Sequence, residues 1–261
     1  MSEPVLRTEG LSKRFGGLLA VNNLNLSLAG SRLHAIIGPN GAGKTTLFNL
    51  VSGLLAPDEG RVFFCGRDVT GLKPHRISRL GIKRTLQIKS VFPRLTVAEN
   101  LWITARGGHG FLDPFRSAAS DRSTGEKVER TLVQIGLASL AGRQAGTLSY
   151  GDVALLEIGM AVISEPRLLL LDEPTCGMSP AETARAVEKI RELSRSIDIV
   201  IIEHDMDVVF EIADDITVMA QGGILAAGTP SEIAADERVR EAYLGHEEDE
   251  DYVEEAAHAS A

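Results

Sequence analysis

Cysteine, aromatic residues and long apolar runs are all scarce in this chain. Its two cysteines, Cys65 and Cys176, stand far apart and in no ligand-like spacing. That argues against a disulfide framework or a cysteine-built metal centre and fits a reduced, cytosolic compartment. No stretch of about 18 uncharged apolar residues occurs, so no membrane-spanning helix is expected. The opening Met1-Ser2-Glu3-Pro4 lacks the basic and apolar regions of a secretory signal. No basic stripe points to nucleic acid. The formal charge is −9, but residues 247–255 hold seven acidic groups and no basic one, which leaves the rest near −2. That tail reads as a solvated, disordered end.

What is present suits one large α/β domain, or a domain with a lobe inserted in it: 261 residues, 44% hydrophobic, with 26 glycines. The stretch Gly38-Pro39-Asn40-Gly41-Ala42-Gly43-Lys44-Thr45 fits Gly-x-x-x-x-Gly-Lys-Thr at every fixed position. It is preceded by the strand-like Leu33, Ala35, Ile36 and Ile37, and followed by helix-like residues from Thr46 to Val51. Glycines let such a loop approach phosphates closely, and consecutive N–H groups at a helix N-terminus face the anion. Lys44 supplies a point charge, and the Thr45 hydroxyl is placed for Mg²⁺.

Taken in order, residues 4–37 read as β-rich, with Leu24, Leu26 and Leu28 alternating with Asn25 and Ser27 as one half-buried strand. Lys13 to Gly17 reads as a turn, with Phe15 either a core residue or a ring under a nucleotide base. Gly60 to Gly66 is strand-like, Pro74 to Leu80 a short helix stopped by Gly81, and Ile82 to Gln87 a strand. Residues 96–163 have helical character. Thr96 and Glu99 form a capping box there, residues 106–125 read as a loop, and Glu126 to Ile135 as a helix. Ser149 is an N-cap candidate with Asp152 three residues on.

The run Arg167 to Leu171 carries four leucines and ends in Asp172-Glu173-Pro174, the mark of a buried parallel strand with acids at its carboxyl end. A helix follows, with Ala184, Val187, Ile190 and Leu193 predicted on its buried face. Asp198 to Ile202 is a second buried strand, ending at Glu203-His204-Asp205. Residues 216–244 read as short strands and small helices. None of the other histidines (34, 75, 109, 246, 258) makes metal-ligand spacing with another.

These segments together resemble the ATP-binding subunits of ABC transporters, over about residues 4–245. The motifs stand in that family's order: the loop at 38–45, Gln87, the signature-like Leu148-Ser149-Tyr150-Gly151-Asp152, the acidic strand end at 168–173, and His204. The resemblance implies an α/β P-loop NTPase fold of ABC type: a mixed sheet with a parallel core, an antiparallel β subdomain, and a helical subdomain inserted at about 90–163. Residues 246–261 would then be a tail. It implies ATP and Mg²⁺ as cofactors. Gly38, Pro39, Asn40, Gly41, Ala42, Gly43, Lys44, Thr45 and Thr46 would cradle the phosphates, and Phe15 would stack on adenine. Thr45, Gln87 and Asp172 would serve the metal. Glu173 would polarise the attacking water, with Gln87 and His204 as further catalytic residues at the water and γ-phosphate. Ser149 and Gly151 would contact the γ-phosphate held by a second ATP-binding subunit.

Finer similarity is to importers of branched-chain amino acids. It is carried by Phe15 to Val21, Arg84-Thr85-Leu86-Gln87, Leu156-Glu157-Ile158-Gly159-Met160, Glu203-His204-Asp205-Met206 and Tyr243-Leu244-Gly245. The urea importer subunit shares several of these. Three features depart from the commonest family pattern: Tyr150 and Asp152 in the signature, no basic side chain in Val153-Ala154-Leu155, and Ser179 where an aspartate is frequent. The implied partners are two integral-membrane permease subunits, a second ATPase subunit and, indirectly, a periplasmic or extracellular binding protein, with no nucleic acid. The implied location is peripheral, on the cytoplasmic face of the inner membrane. The readings from other classes are a regulatory, non-hydrolysing nucleotide-binding module, against which Glu173 and His204 both stand, and a soluble ABC ATPase outside transport. Such proteins usually carry two cassettes or long coiled-coil insertions, and neither is seen here.

Overall fold

A computed structural model describes residues 3–28, 33–85, 91–106 and 118–243, with side chains at all of these except 118–121. The chain divides into two compact units, Met1–Lys73 with Ile202–Ala261, and Pro74–Ile201.

In the first unit the chain runs through β1 (Leu6–Phe15), β2 (Leu18–Leu24), β3 (Ser27–Leu28), β4 (Leu33–Ile37), α1 (Lys44–Val51), β5 (Glu59–Phe64) and β6 (Arg67–Asp68). The second unit holds α2 (Pro74–Leu80), β7 (Ile82–Arg84), α3 (Val97–Arg106), α4 (Ala118–Gln134), α5 (Tyr150–Val162), β8 (Leu168–Asp172), α6 (Pro180–Ser194) and β9 (Asp198–Ile202). The first unit then resumes with α7 (Met206–Ile212), β10 (Asp215–Ala220), β11 (Gly223–Gly228) and α8 (Pro230–Ala235).

The first unit contains an antiparallel sheet in the order β2-β1-β5-β6, with β3 also on β1. The leucines at 24, 26 and 28 are buried as the alternation predicts, but they do not form one strand. Thr8 of β1 is the cause: its buried hydroxyl donates to the Leu24 carbonyl and accepts the Leu26 N–H, each at 3.0 Å, and so splits the segment into β2 and β3. Lys13 to Phe15 is strand, not turn. The reversal is confined to Gly16-Gly17, because β1 continues to pair with β2 as far as Phe15 opposite Leu18. Beside this sheet in sequence, β4 is buried along its whole length and pairs parallel with β10, which pairs antiparallel with β11.

In the second unit β7 pairs parallel with β8, placing Arg84 opposite Leu170. Every residue of β8 is buried, as its four leucines predict. The helical core joins Val97 and Leu101 of α3, Val128 and Leu132 of α4, and Leu155 and Leu156 of α5. Burial of such side chains is worth roughly 1.5–3 kcal/mol each before entropy is counted. Thr96 and Glu99 form the expected capping contacts: the Thr96 N–H donates to Glu99 at 2.7 Å, and the Glu99 N–H donates to Thr96 Oγ1 at 3.2 Å. The loop predicted at 106–125 is helical from Ala118, and residues 107–117 lie outside the described residues. On α6 the buried face carries Ala186, Val187, Ile190 and Leu193, while Ala184 is exposed. The tail predicted at 246–261 also lies outside the described residues.

Candidate functional site

In the first unit the buried strand β4 delivers the chain into the glycine-rich loop. Gly43 stands at the N-cap of α1 in the left-handed region, φ 99°, and no side chain caps the helix there. A Cβ at this position would lie 2.3 Å from the Ala20 carbonyl oxygen, so both conformation and space demand glycine. The loop is fastened from outside by the Gly222 N–H, which donates to the Ala42 carbonyl at 3.1 Å. Lys44 is buried. Its Nζ donates to the Gly38 carbonyl and, at 2.9 Å, to the Pro39 carbonyl. The lysine charge is thus held against the loop's own carbonyls at the start of α1. Asn40, Gly41 and Thr45 are exposed, and Thr46 is half-buried. An uncapped first turn, an ammonium and the exposed Thr45 are chemistry suited to an anion.

Phe15 closes β1 at the Gly16-Gly17 hairpin with 47% of its surface exposed, which disposes of the core alternative for this ring. Lys13 Nζ sits 5.9 Å from its ring centre and is anchored by Asp58 at 2.8 Å. An exposed ring held at a hairpin presents a face for stacking. His204 is exposed, directly after the buried Glu203 and before Asp205, whose carboxylate caps α7 by accepting the N–H groups of Asp207 and Val208.

Tyr243, in the C-terminal stretch that carries the finer similarity, acts on the start of the loop. Burial pushes its phenol up to about 12, with the Gly38 backbone acting in the opposite direction.

In the second unit Asp172 ends β8 fully buried. Its Oδ2 accepts Arg84 Nη2 at 2.7 Å, while its Oδ1 is buried with no hydrogen-bond partner among the described residues. A buried carboxylate oxygen without a partner is costly unless something positive reaches it. That donor chemistry, hard oxygen from a carboxylate, suits a hydrated divalent cation. Glu173 follows, half-buried, with φ 50°. A left-handed conformation at a non-glycine residue costs about 1–2 kcal/mol, and such strain clusters at functional positions. Gln87 lies outside the described residues.

The signature-like segment forms the start of α5. Ser149 is the N-cap, its hydroxyl accepting the Asp152 N–H at 3.2 Å, as the sequence predicts. Both residues that depart from the commonest family pattern have partners in the same unit. Asp152 takes Arg185 of α6 at 2.8 Å, and the Tyr150 ring lies beside Gly177. The Gly151 N–H is turned onto Glu182 Oε1 at 3.0 Å. Glu182 Oε2 accepts the Ser179 hydroxyl at 2.8 Å and the Ser179 N–H at 3.1 Å. The Ser179 hydroxyl, the Gly151 N–H and then the Ser149 hydroxyl hold the Glu182 carboxyl down to about 2.

Arg84, Glu182 and Arg185 were not among the expected site residues. Ser179-Pro180-Ala181-Glu182 was legible as a capping box; its second set of bonds, to the signature, was not. For Arg84 nothing in a single sequence signals a partner 88 residues away.

Among the described residues no helix is long and apolar enough to cross a membrane. None of their histidine, cysteine and acidic side chains group as three or more potential metal ligands.

Comparison with known proteins agrees with this geometry. The family model described as "ABC transporter" matches residues 21–176, and that described as "Branched-chain amino acid ATP-binding cassette transporter" matches residues 224–249. The chain is 42% identical to the high-affinity branched-chain amino acid transport ATP-binding protein BraF of Pseudomonas aeruginosa, over 94% of this chain and 99% of that protein. It is also 42% identical to the corresponding protein LivG of Escherichia coli, with the same coverage. Among solved structures it resembles the ADP conformation of an ATP-binding cassette of an ABC transporter, with a TM-score of 0.80 and 34% identity, covering 94% of this chain and 100% of that one.

Proposed function

The chain belongs to the ABC transporter family of ATP-binding subunits, and on that premise we propose that it hydrolyses ATP to power an importer of branched-chain amino acids. The C-terminal match at residues 224–249 supports the branched-chain type over the urea type. The observation that carries the enzymatic reading is the end of β8: Asp172 buried with one oxygen committed to Arg84 and the other unpartnered among the described residues, and Glu173 next to it in a strained backbone.

Roles are assigned residue by residue from the order of the motifs. The loop Gly38 to Gly43, with Lys44, Thr45 and Thr46, wraps the phosphates through N–H groups, one ammonium and two hydroxyls. Lys44 exchanges the Gly38 and Pro39 carbonyls for phosphate oxygens. Phe15 offers its exposed face to the adenine. Thr45, Gln87 and Asp172 would hold Mg²⁺, which would supply positive charge to the terminal phosphates. Glu173 accepts a hydrogen bond from the attacking water and draws off its proton. His204 donates to the γ-phosphate, and Gln87 helps to place the water. Ser149 and Gly151 serve the nucleotide of a second ATP-binding subunit, so that each of two sites is completed in trans.

The assembly implied is peripheral to the cytoplasmic face of the cell membrane. It places two of these ATPases beneath two permease subunits, with substrate delivered by a separate binding protein. ATPase turnover of the assembled transporter tests the reading. Glu173→Gln is expected to retain ATP binding and lose turnover by roughly 10²–10⁴-fold, the worth of a positioned general base. Equal turnover in the wild type and Glu173→Gln would overturn it.

A further inference from the structure

One signature donor is already engaged within this chain. The Gly151 N–H donates to Glu182 Oε1 at 3.0 Å, and the nearby Ser149 hydroxyl helps to lower the pKa of the same carboxyl. The other oxygen, Oε2, is fixed by the Ser179 hydroxyl at 2.8 Å and the Ser179 N–H at 3.1 Å. Both oxygens of one anion are therefore satisfied by three hydrogen bonds, one from the start of α5 and two from the start of α6. The approach is close as well as polar. A Cβ on Gly151 would lie 2.8 Å from the Glu182 Cβ, so the glycine of the signature is required in part by this glutamate. Two further contacts hold the same two segments together: Asp152 with Arg185, and the Tyr150 ring beside Gly177.

An N–H that binds a carboxylate cannot at the same time give a full hydrogen bond to a phosphate, and two anions at one donor repel each other. We propose that Glu182 is a resident anion on the Gly151 N–H of the signature, which a partner subunit's γ-phosphate must displace before the two ATPase subunits close. This rests on the reading that Ser149 and Gly151 act in trans. Glu182 is thus a positioning residue with two roles. It holds that donor in line while no nucleotide faces it, and it sets the ATP concentration at which closure begins. Tyr150 and Asp152, the departures from the common family pattern, keep α5 beside α6 while the carboxylate leaves, through contacts that do not involve it.

The Glu182→Gln variant separates these effects from mere capping. Glutamine preserves the Ser-x-x-Gln form of the capping box, so the fold is retained, but the charge is lost and the bond to Gly151 weakens by about half. In the assembled transporter with MgATP, Glu182→Gln is expected to lower the half-saturating ATP concentration about three- to tenfold, with the thermal unfolding midpoint little changed. Glu182→Asp keeps the charge on a side chain one methylene shorter, outside the reach of Gly151, and is expected to shift half-saturation in the same direction. A helix cap with no other role predicts no shift, or a rise that follows lost stability. Unchanged or raised half-saturation in both variants overturns the proposal. Ser149→Ala tests the premise separately. If it leaves ATP dependence and turnover unchanged, the trans reading itself fails. If it impairs them while the Glu182 variants do not shift half-saturation, only the displacement proposal fails.

Discussion

Arg84 Nη2 donates to Asp172 Oδ2 at 2.7 Å, and the two side chains are only 9% and 1% exposed. The pair ties the end of β7 to the end of β8, four residues beyond the register that places Ile82 against Leu168 for the aspartate. It leaves Oδ1 of the carboxylate buried and without a hydrogen-bond partner among the described residues. Removing one member of a buried pair strands the other, at about 3–5 kcal/mol. Arg84→Met is expected to lower stability by that amount in urea unfolding, and the double variant Arg84→Met/Asp172→Asn to recover part of it. A loss below about 1 kcal/mol would mean that the pair is solvated like a surface bridge.

Asn100 is fully buried on α3 and closes the turn before it. Its Oδ1 accepts the Phe92 N–H at 2.7 Å, and its Nδ2 donates to the Phe92 carbonyl at 3.1 Å and the Thr96 carbonyl at 2.9 Å. The turn 92–96 cannot replace these bonds with water at a site this closed. Asn100→Leu matches the size but strands the Phe92 N–H and carbonyl, and should cost about 2–4 kcal/mol at 1–3 kcal/mol per unsatisfied group. Chemical denaturation measures this. A loss within experimental scatter would show that the turn re-pairs by itself.

The parts legible in the sequence are those where geometry restricts composition. Gly43 has to be glycine for its conformation and for Ala20, and the four leucines before Asp172 have to be apolar because β8 is buried on both faces. The errors fall where the signal is weak. Alanine carries little hydrophobic contrast, so Ala184 was assigned the place that Ala186 holds on α6. Lys13 and Arg14 look like turn residues, yet they extend β1 on its solvent side to a two-residue reversal. Pairs such as Arg84 with Asp172 and Gly151 with Glu182 link residues 88 and 31 positions apart. No local periodicity reports such partners.

Tyr243 connects the C-terminal region to the phosphate loop. Burial of its half-buried phenol raises the pKa to about 12, and the nearby Gly38 backbone pulls it the other way. Gly38 begins the loop, and Lys44 reaches back to its carbonyl. Tyr243→Phe removes the hydroxyl and keeps the ring, at a cost of about 0.5–1.5 kcal/mol for one hydrogen bond. Since the hydroxyl acts on the Gly38 backbone, the loss should appear as roughly two- to tenfold weaker ATP binding, with turnover at saturating ATP preserved. Fluorescent-nucleotide titration reads the first quantity and steady-state kinetics the second. Reduced turnover with unchanged binding would place Tyr243 outside the cradle.

His34 sets an acid limit on the first unit. It lies buried in β4, its Nε2 2.8 Å from Thr217 Oγ1 of β10. Burial lowers its pKa from 6.5 to about 4, against the opposing pull of Asp215. The folded state therefore resists a proton that the unfolded chain accepts. Between pH 6.5 and about 4 the unfolded state binds more protons, so stability rises with pH there. The contribution is complete above the unfolded value and is lost as pH falls toward the folded one. At about 1.4 kcal/mol per pH unit across that window, the loss reaches roughly 3 kcal/mol. His34→Gln keeps a polar atom for Thr217 and cannot titrate. Unfolding free energies measured from pH 7 to 4 should fall less steeply for the variant than for the wild type, and parallel curves would show that other groups govern the acid transition.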